Sequence, residues 1–197
     1  MGFARRRPSR EPLSRADAAE RITRAAMALG AAEGVGALSL QAIARAAGVS
    51  KALLLYHFAG KSAMLDAVAA LLGAGSEARL RRAAEQLDAL DAWRRLVRDE
   101  ATRGELALLT ALSLEAELEA APLRAMRESR ETAATALASA MLGGVQLTPR
   151  VPPALLGRLL LRHLDGVAAA ATRDRVVSAA LDDELDAFAL ALLALGR

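Results

Sequence analysis

LSLQAIARAAGVSKALLLYHFAGK, residues 38–61, reads as two short helices joined by a tight turn. Ser39 suits an N-cap, because its hydroxyl oxygen can accept from the free N–H groups of the first turn. Leu40, Ile43, Ala44 and Ala47 then recur at helical spacing on one face. Gly48 follows, where a helix stops in the left-handed conformation that glycine adopts cheaply. Ser50 can cap a second helix running from Lys51 to about His57. Ala44 is small enough to let the two helices approach closely. In a helix-turn-helix of this kind the second helix can enter a DNA major groove.

An ordinary helical hairpin inside a bundle has the same geometry, so the side chains must separate the two readings. The chain has 26 basic residues. Its only two lysines, Lys51 and Lys61, open the second helix and follow its end. Between them lie Tyr56, the single tyrosine, with His57 and Phe58. A basic, hydroxyl-bearing helix start can meet phosphates, and Tyr and His can add hydrogen bonds.

Charge is distributed to match. The net charge is +3, yet residues 1–61 hold ten basic residues against four acidic ones, and the remainder holds sixteen against nineteen. A GC-rich genome would explain why arginine is common, but not why the excess sits at one end. The asymmetry is that of a nucleic-acid-binding head on a near-neutral body.

The 197 residues suit one medium domain or two small ones. Hydrophobic residues make up 54% and aromatics 3%, so the core must be built from Ala, Leu and Val. Long Ala/Leu/Arg/Glu runs favour helices, and an all-α fold is expected. The absence of cysteine excludes disulfides, thiolate metal sites and cysteine nucleophiles. No apolar run approaches the ~18 residues of a membrane span, and the basic N-terminus lacks the apolar segment of a signal peptide. These features read as a soluble cytoplasmic protein.

Residues 1–13, with Arg5, Arg6, Arg7 and Arg10, read as a disordered basic arm, either a solvated tail or a segment that follows the DNA backbone or minor groove. Ser14 with Asp17 resembles a capping box, and the helix it opens runs to about Glu33 with Ile22, Ala25, Ala26 and Leu29 on its buried stripe. Gly34 and Gly36 end it.

A first helix, then SLQAIARAAGVSKALLLYHFAGK, then a long helix, resembles the N-terminal domain of the tetracycline-repressor (TetR, AcrR-like) family of transcription regulators. Ile43-Ala44, Ala47-Gly48-Val49-Ser50, His57-Phe58 and Lys61 carry the likeness, which covers roughly residues 14–70. It implies a three-helix DNA-binding head over 14–60 and a helical effector-binding and dimerisation body over 61–197, about nine helices in all. It also implies that Ser39 and Gln41 lie near phosphates, that Ser50, Lys51, Ala52 and Leu53 open the recognition helix, and that Lys61 touches the backbone. Leu55, Tyr56 and His57 complete the candidate DNA-binding set. The chain departs from the family where Ala52-Leu53 replaces a Gly-Thr or Pro-Thr pair and Leu55 replaces a tyrosine. Leu53 has no hydroxyl, and can meet a thymine methyl instead. Leu55 can do the same or turn into the core.

From Lys61 a helix carries Met64, Leu65, Val68, Leu71 and Leu72 before Gly73 and Gly75 interrupt it. The interruption reads equally as a pivot or as a plain break, with a continuation to about Leu87. Five more helices are expected near 89–102, 104–119, 122–142, 153–171 and 181–195. By the resemblance, the last two pair with their copies in a homodimer through Leu155 and Leu159 on one helix and Leu185, Phe188 and Leu192 on the other. Leucine stripes of this kind also serve as plain core.

For an effector, an apolar pocket with a few polar groups is expected in the body. Trp93 and His163 are the candidate contacts, each with packing as the competing role. Glu115, Glu117 and Glu119 alternate and read as solvated, and a hydrophobic or weakly basic effector is compatible with this composition. Met126 and Met141 read as filler. With two histidines, no cysteine and no Gly-rich phosphate loop, catalysis has little material, and no metal or cofactor is expected. The functional expectation is a repressor that binds a palindromic operator in double-stranded DNA and is released by a small molecule. The competing reading is a helical protein-interaction or architectural protein whose head binds DNA without reading its sequence.

Overall fold

The computed structural model describes residues 15–114, 120–174 and 180–197. The basic arm 1–13, Ser14 of the expected capping box, and Glu115, Glu117 and Glu119 lie outside them. Nine α-helices span most of the described residues: α1 (Arg15–Glu33), α2 (Leu40–Ala47), α3 (Lys51–His57), α4 (Lys61–Ala84), α5 (Ala89–Arg103), α6 (Glu105–Leu112), α7 (Ala120–Gly144), α8 (Pro153–Asp174) and α9 (Leu181–Leu193). A single 3-10 turn, Val35–Ala37, joins α1 to α2. The all-α expectation holds, and the extended pairing among the described residues is one isolated bridge between Pro149 and Gly196. Around it Thr148 N–H donates to the Arg197 carbonyl (3.0 Å) and Arg197 N–H to the Thr148 carbonyl (2.9 Å), so the C-terminal residues fasten onto the α7–α8 loop.

α7 is the middle of the body, with its most extensive contacts to α4 on one side and α8 on the other. Glycines permit both approaches. A Cβ on Gly73 would overlap the Met126 side chain, and a Cβ on Gly157 would stand 2.8 Å from the Thr135 backbone nitrogen. Gly73 therefore corrects the sequence reading. α4 runs without a break through Gly73 and Gly75 to Ala84, because the missing side chain serves the packing of α7 rather than an end to α4. α6 stops at Leu112, short of the expected end, where the Ser113 hydroxyl donates to the Leu109 carbonyl (2.8 Å).

The head and the body are packed together through one continuous core. Ile22 and Ala26 of α1 are buried with Ile43 and Ala44 of α2, Leu54 of α3 and Met64, Leu65 and Val68 of α4. The far end of α1 lies on α6, where a Cβ on Gly30 would meet Leu108 at 2.7 Å. Gly104, between α5 and α6, turns with φ 70° directly against the Ala31 carbonyl. Close by, Arg79 of α4 bridges the buried Glu100 of α5 and Glu105 of α6, the latter at 3.1 Å. Burial raises the Glu100 pKa above its ordinary value against the opposing pull of Arg79. α9 is tied to α5 by Arg94–Asp186 and Arg98–Asp182, both 2.7 Å. These pairs are exposed, and each contributes under about 1 kcal/mol.

Candidate nucleic-acid interface and effector cavity

The two-helix unit forms through local chemistry. Ser39 Oγ accepts from Ala42 N–H (3.1 Å) and Ser50 Oγ accepts from Leu53 N–H (3.0 Å), so both serines cap the helices that follow them. Gly48 sits at φ 63°, ψ 37°, and Val49 N–H donates back to the Ala44 carbonyl (2.9 Å). This closing pattern satisfies the last carbonyls of α2 and aims the chain into α3. Ser39 and Ser50 use their oxygens as acceptors here, which leaves the hydroxyl proton of each to donate to a phosphate.

Leu54 sets the rotation of α3. Its side chain is fully buried, which stabilises the docked helix by roughly 1.5–3 kcal/mol. With Leu54 facing in, Lys51, Ala52, Leu55 and Tyr56 face out, Leu55 at 44% and Tyr56 at 63% exposure. Of the two roles open to Leu55, the structure selects the outer face. Leu53 is at the border with 37% exposure. Tyr56 and His57 pack edge to face with ring centroids 5.3 Å apart. Gln41 and Lys61 are exposed. No acidic residue occurs between Glu33 and Asp66, so this surface presents Arg45, Lys51 and Lys61 with no nearby carboxylate in the sequence to neutralise them.

A second concavity lies in the body. α6, α7 and α8 enclose a cavity of about 330 Å³. Its apolar part includes Leu109, Leu161 and Met126, and its polar part is dominated by Arg127, Arg130, Arg158 and Arg162. Arg130, nearly buried, donates to Asp165 (2.6 Å) and to Ser76 Oγ (3.1 Å), and Arg158 donates to Glu131 (2.9 Å). A smaller cavity of about 180 Å³ lies between α4 and α7, and Met126 lines both.

Residues 22–68 match the bacterial regulatory proteins of the tetR family. This stretch is a tetR-family N-terminal domain. No curated protein matches the chain significantly. Solved TetR-like structures extend the likeness over the body. The reduced form of E. coli NemR superposes with a TM-score of 0.69 at 18% identity, covering 92% of this chain and 97% of that one. PfmR, a TetR family transcriptional regulator from Thermus thermophilus, gives 0.63 at 24% identity, with 88% and 97% covered. SmeT, the repressor of the Stenotrophomonas maltophilia multidrug efflux pump SmeDEF, gives 0.59 at 17% identity, with 91% and 90% covered. At these identities the shared property is the fold.

In the body, Trp93 and His163 are brought together, but inside the core and not on the wall of the arginine-lined cavity. Trp93 is fully buried. The His163 ring stacks on Phe188 with centroids 3.9 Å apart, and Trp93 lies 5.8 Å from His163 and 5.9 Å from Phe188. Trp93 Nε1 and both His163 nitrogens have no hydrogen-bond partner among the described residues. Burial accordingly lowers the His163 pKa, with Glu184 at 3.6 Å opposing the shift. The geometry is that of packing.

The expected dimer contacts on α9 lie mostly inside the protomer. Leu185 and Leu192 are buried within the protomer, and Phe188 is half-buried beneath His163. Their spacing places them on the side of α9 that faces its own body. Leu190 occupies the outer face at 69% exposure. Leu155 and Leu159 of α8 are partly exposed. The cavity arginines were missed in the sequence, although a signal existed: Arg158, Arg162 and Asp165 recur at i, i+4 and i+7 across an otherwise leucine-rich helix.

Proposed function

We propose that this TetR-family chain is a ligand-responsive transcriptional regulator that binds a palindromic operator as a homodimer and represses until a small molecule releases it. The observation that carries this reading is the outer face of α3. Leu54 anchors the helix from beneath, while Lys51, Ala52, Leu55 and Tyr56 project together from a stretch, 34–65, that carries no acidic residue. Residues 14–60 act as the DNA-binding unit and 61–197 as the effector-binding and dimerisation unit.

In this reading Ser39, Gln41, Ser50, Lys51 and Lys61 hold phosphates and set the register, as backbone contacts do. Ala52, Leu53 and Leu55 present methyl groups to the major groove, where the thymine methyl is the matching feature. Tyr56 and His57 flank the backbone. The partner subunit docks on the outer faces of α8 and α9, through Leu155 and Leu159 with Leu190 in place of Leu185 and Leu192. The effector acts through a difference in its affinity for the two spacings of the heads. Nothing in this reading requires catalysis, a metal or a cofactor, and the site of action is the cytoplasm.

Selection of bound fragments from random duplex DNA at near-physiological salt tests it. The expected product is a palindrome rich in A·T pairs beneath α3, with half-sites one or more helical turns apart. Recovery of no motif, with only salt-sensitive binding, would instead establish an architectural or protein-interaction role for a head that does not read sequence.

A further inference from the structure

The cavity between α6, α7 and α8 has an uneven charge inventory. Among the described residues its two acids are each engaged by one arginine, Asp165 by Arg130 and Glu131 by Arg158. Two guanidinium groups remain. Arg127 reaches only the Ser113 carbonyl, at 3.4 Å, and Arg162 forms no ion pair among the described residues. Arg127 and Arg162 are exposed, whereas Leu109 is buried and Leu161 and Met126 are half-buried. The cavity therefore has a cationic rim over an apolar floor. A neutral or basic guest would leave the rim unmatched, while an anionic group can be gripped by planar, multidentate donors.

We propose that this cavity binds an amphipathic organic acid, with its carboxylate held by Arg127 and Arg162 and its apolar chain or ring laid on Leu109, Leu161 and Met126. This replaces the expectation of a hydrophobic or weakly basic effector. A volume of about 330 Å³ is at the small end of ligand sites, so the guest is compact. Met126 sets its length. Its side chain rests against Gly73, and it separates this cavity from the 180 Å³ space between α4 and α7. A longer chain passes only when Met126 swings aside. Binding bridges α6, α7 and α8, and α6 is the helix on which the end of α1 rests. The proposal deepens the effector part of the proposed function, and rests on it only for the consequence at DNA.

Calorimetry on the full-length protein tests it with straight-chain carboxylates of six to ten carbons, the methyl ester and primary amine of the eight-carbon member, and inorganic phosphate. At least one carboxylate is expected to bind saturably, with the ester and amine weaker by about tenfold or more, as loss of a charge-assisted hydrogen bond predicts. Arg127→Gln with Arg162→Gln should weaken the carboxylate by at least the same factor, without lowering the thermal midpoint of the unliganded protein, since both side chains are exposed. Met126→Ala should move the preferred chain to a longer one. Amine binding equal to carboxylate binding, phosphate binding as tightly as the best carboxylate, indifference to the double substitution, or no saturable carboxylate binding would each overturn the proposal. Release from operator DNA is read separately by fluorescence anisotropy. A carboxylate that binds through the two arginines but leaves DNA bound supports the site and refutes the effector role.

Discussion

Replacing Gly104 with alanine should cost more stability than the same change at Gly48, and the difference isolates one close approach between helices. Both glycines have positive φ, 70° and 63°. A Cβ in the left-handed region costs roughly 1–2 kcal/mol, and reduced freedom of the unfolded chain returns about 0.4–1 kcal/mol. Those effects are common to both sites and leave Gly48→Ala about 1 kcal/mol less stable than the wild type. At Gly48 the added Cβ meets nothing within 4 Å. At Gly104 it stands 2.5 Å from the Ala31 carbonyl oxygen and 3.3 Å from its carbon. Those atoms are backbone, so no rotamer change can relieve the overlap, and α1 must shift relative to α6. Overpacking of this sort costs about 1–3 kcal/mol, so Gly104→Ala should lose roughly 2–4 kcal/mol in total. For a chain of this length each kcal/mol corresponds to about 2–4 °C in Tm. Urea unfolding followed by helical circular dichroism, at one fixed protein concentration, gives the comparison directly. Equal losses in the two variants would refute the argument that α1 and α6 meet too closely at Gly104 for a side chain.

Three further outcomes are expected. Lys51→Ala with Lys61→Ala should weaken DNA binding on every sequence and lower the slope of log K against log salt by about 2 per head, or nearly 4 for the dimer, close to one for each phosphate no longer neutralised; an unchanged slope in a filter or anisotropy titration would mean the head meets DNA by another face. Glu100 has a folded pKa above its unfolded value, so its contribution to stability is present below about pH 4.5 and is lost as pH rises through the raised value. Glu100→Gln lacks that slope, and its stability relative to wild type should improve across the same window and then level off; parallel urea-midpoint profiles against pH would contradict this. Gly73→Ala should be neutral or destabilising alone, because the new Cβ overlaps Met126, but should stabilise by about 1 kcal/mol in a Met126→Ala background, where helix propensity is unopposed. Identical effects in both backgrounds would remove Met126 as the obstacle.

Several features were legible from the order of residues because their causes are local. Ser39, Gly48 and Ser50 determine where α2 and α3 begin and end through hydrogen bonds that span at most five residues, and the same stretch carries the family's motif. The uneven placement of charge is likewise a property of the chain itself. Direction, by contrast, depends on what lies across the gap. Leu53, Leu54 and Leu55 are three identical side chains in a row, and the packing of α1 and α2 beneath α3 decides that Leu54 goes in and Leu55 out. Gly73 looks like a helix breaker until α7 is placed against it, since intrinsic propensity is small beside the burial gained by a close helix crossing. Leu185 and Leu192 look free to bind a partner until α9 folds onto its own body. The arginine rim exists only once α6, α7 and α8 converge, because its charges are distant in sequence and the imbalance among them is a sum over three helices. The sequence by itself determined the helices of the head, the caps of α2 and α3 and the likeness of the head to its family. The tertiary structure alone decided which faces are open, because a side chain becomes core or surface through its non-local neighbours.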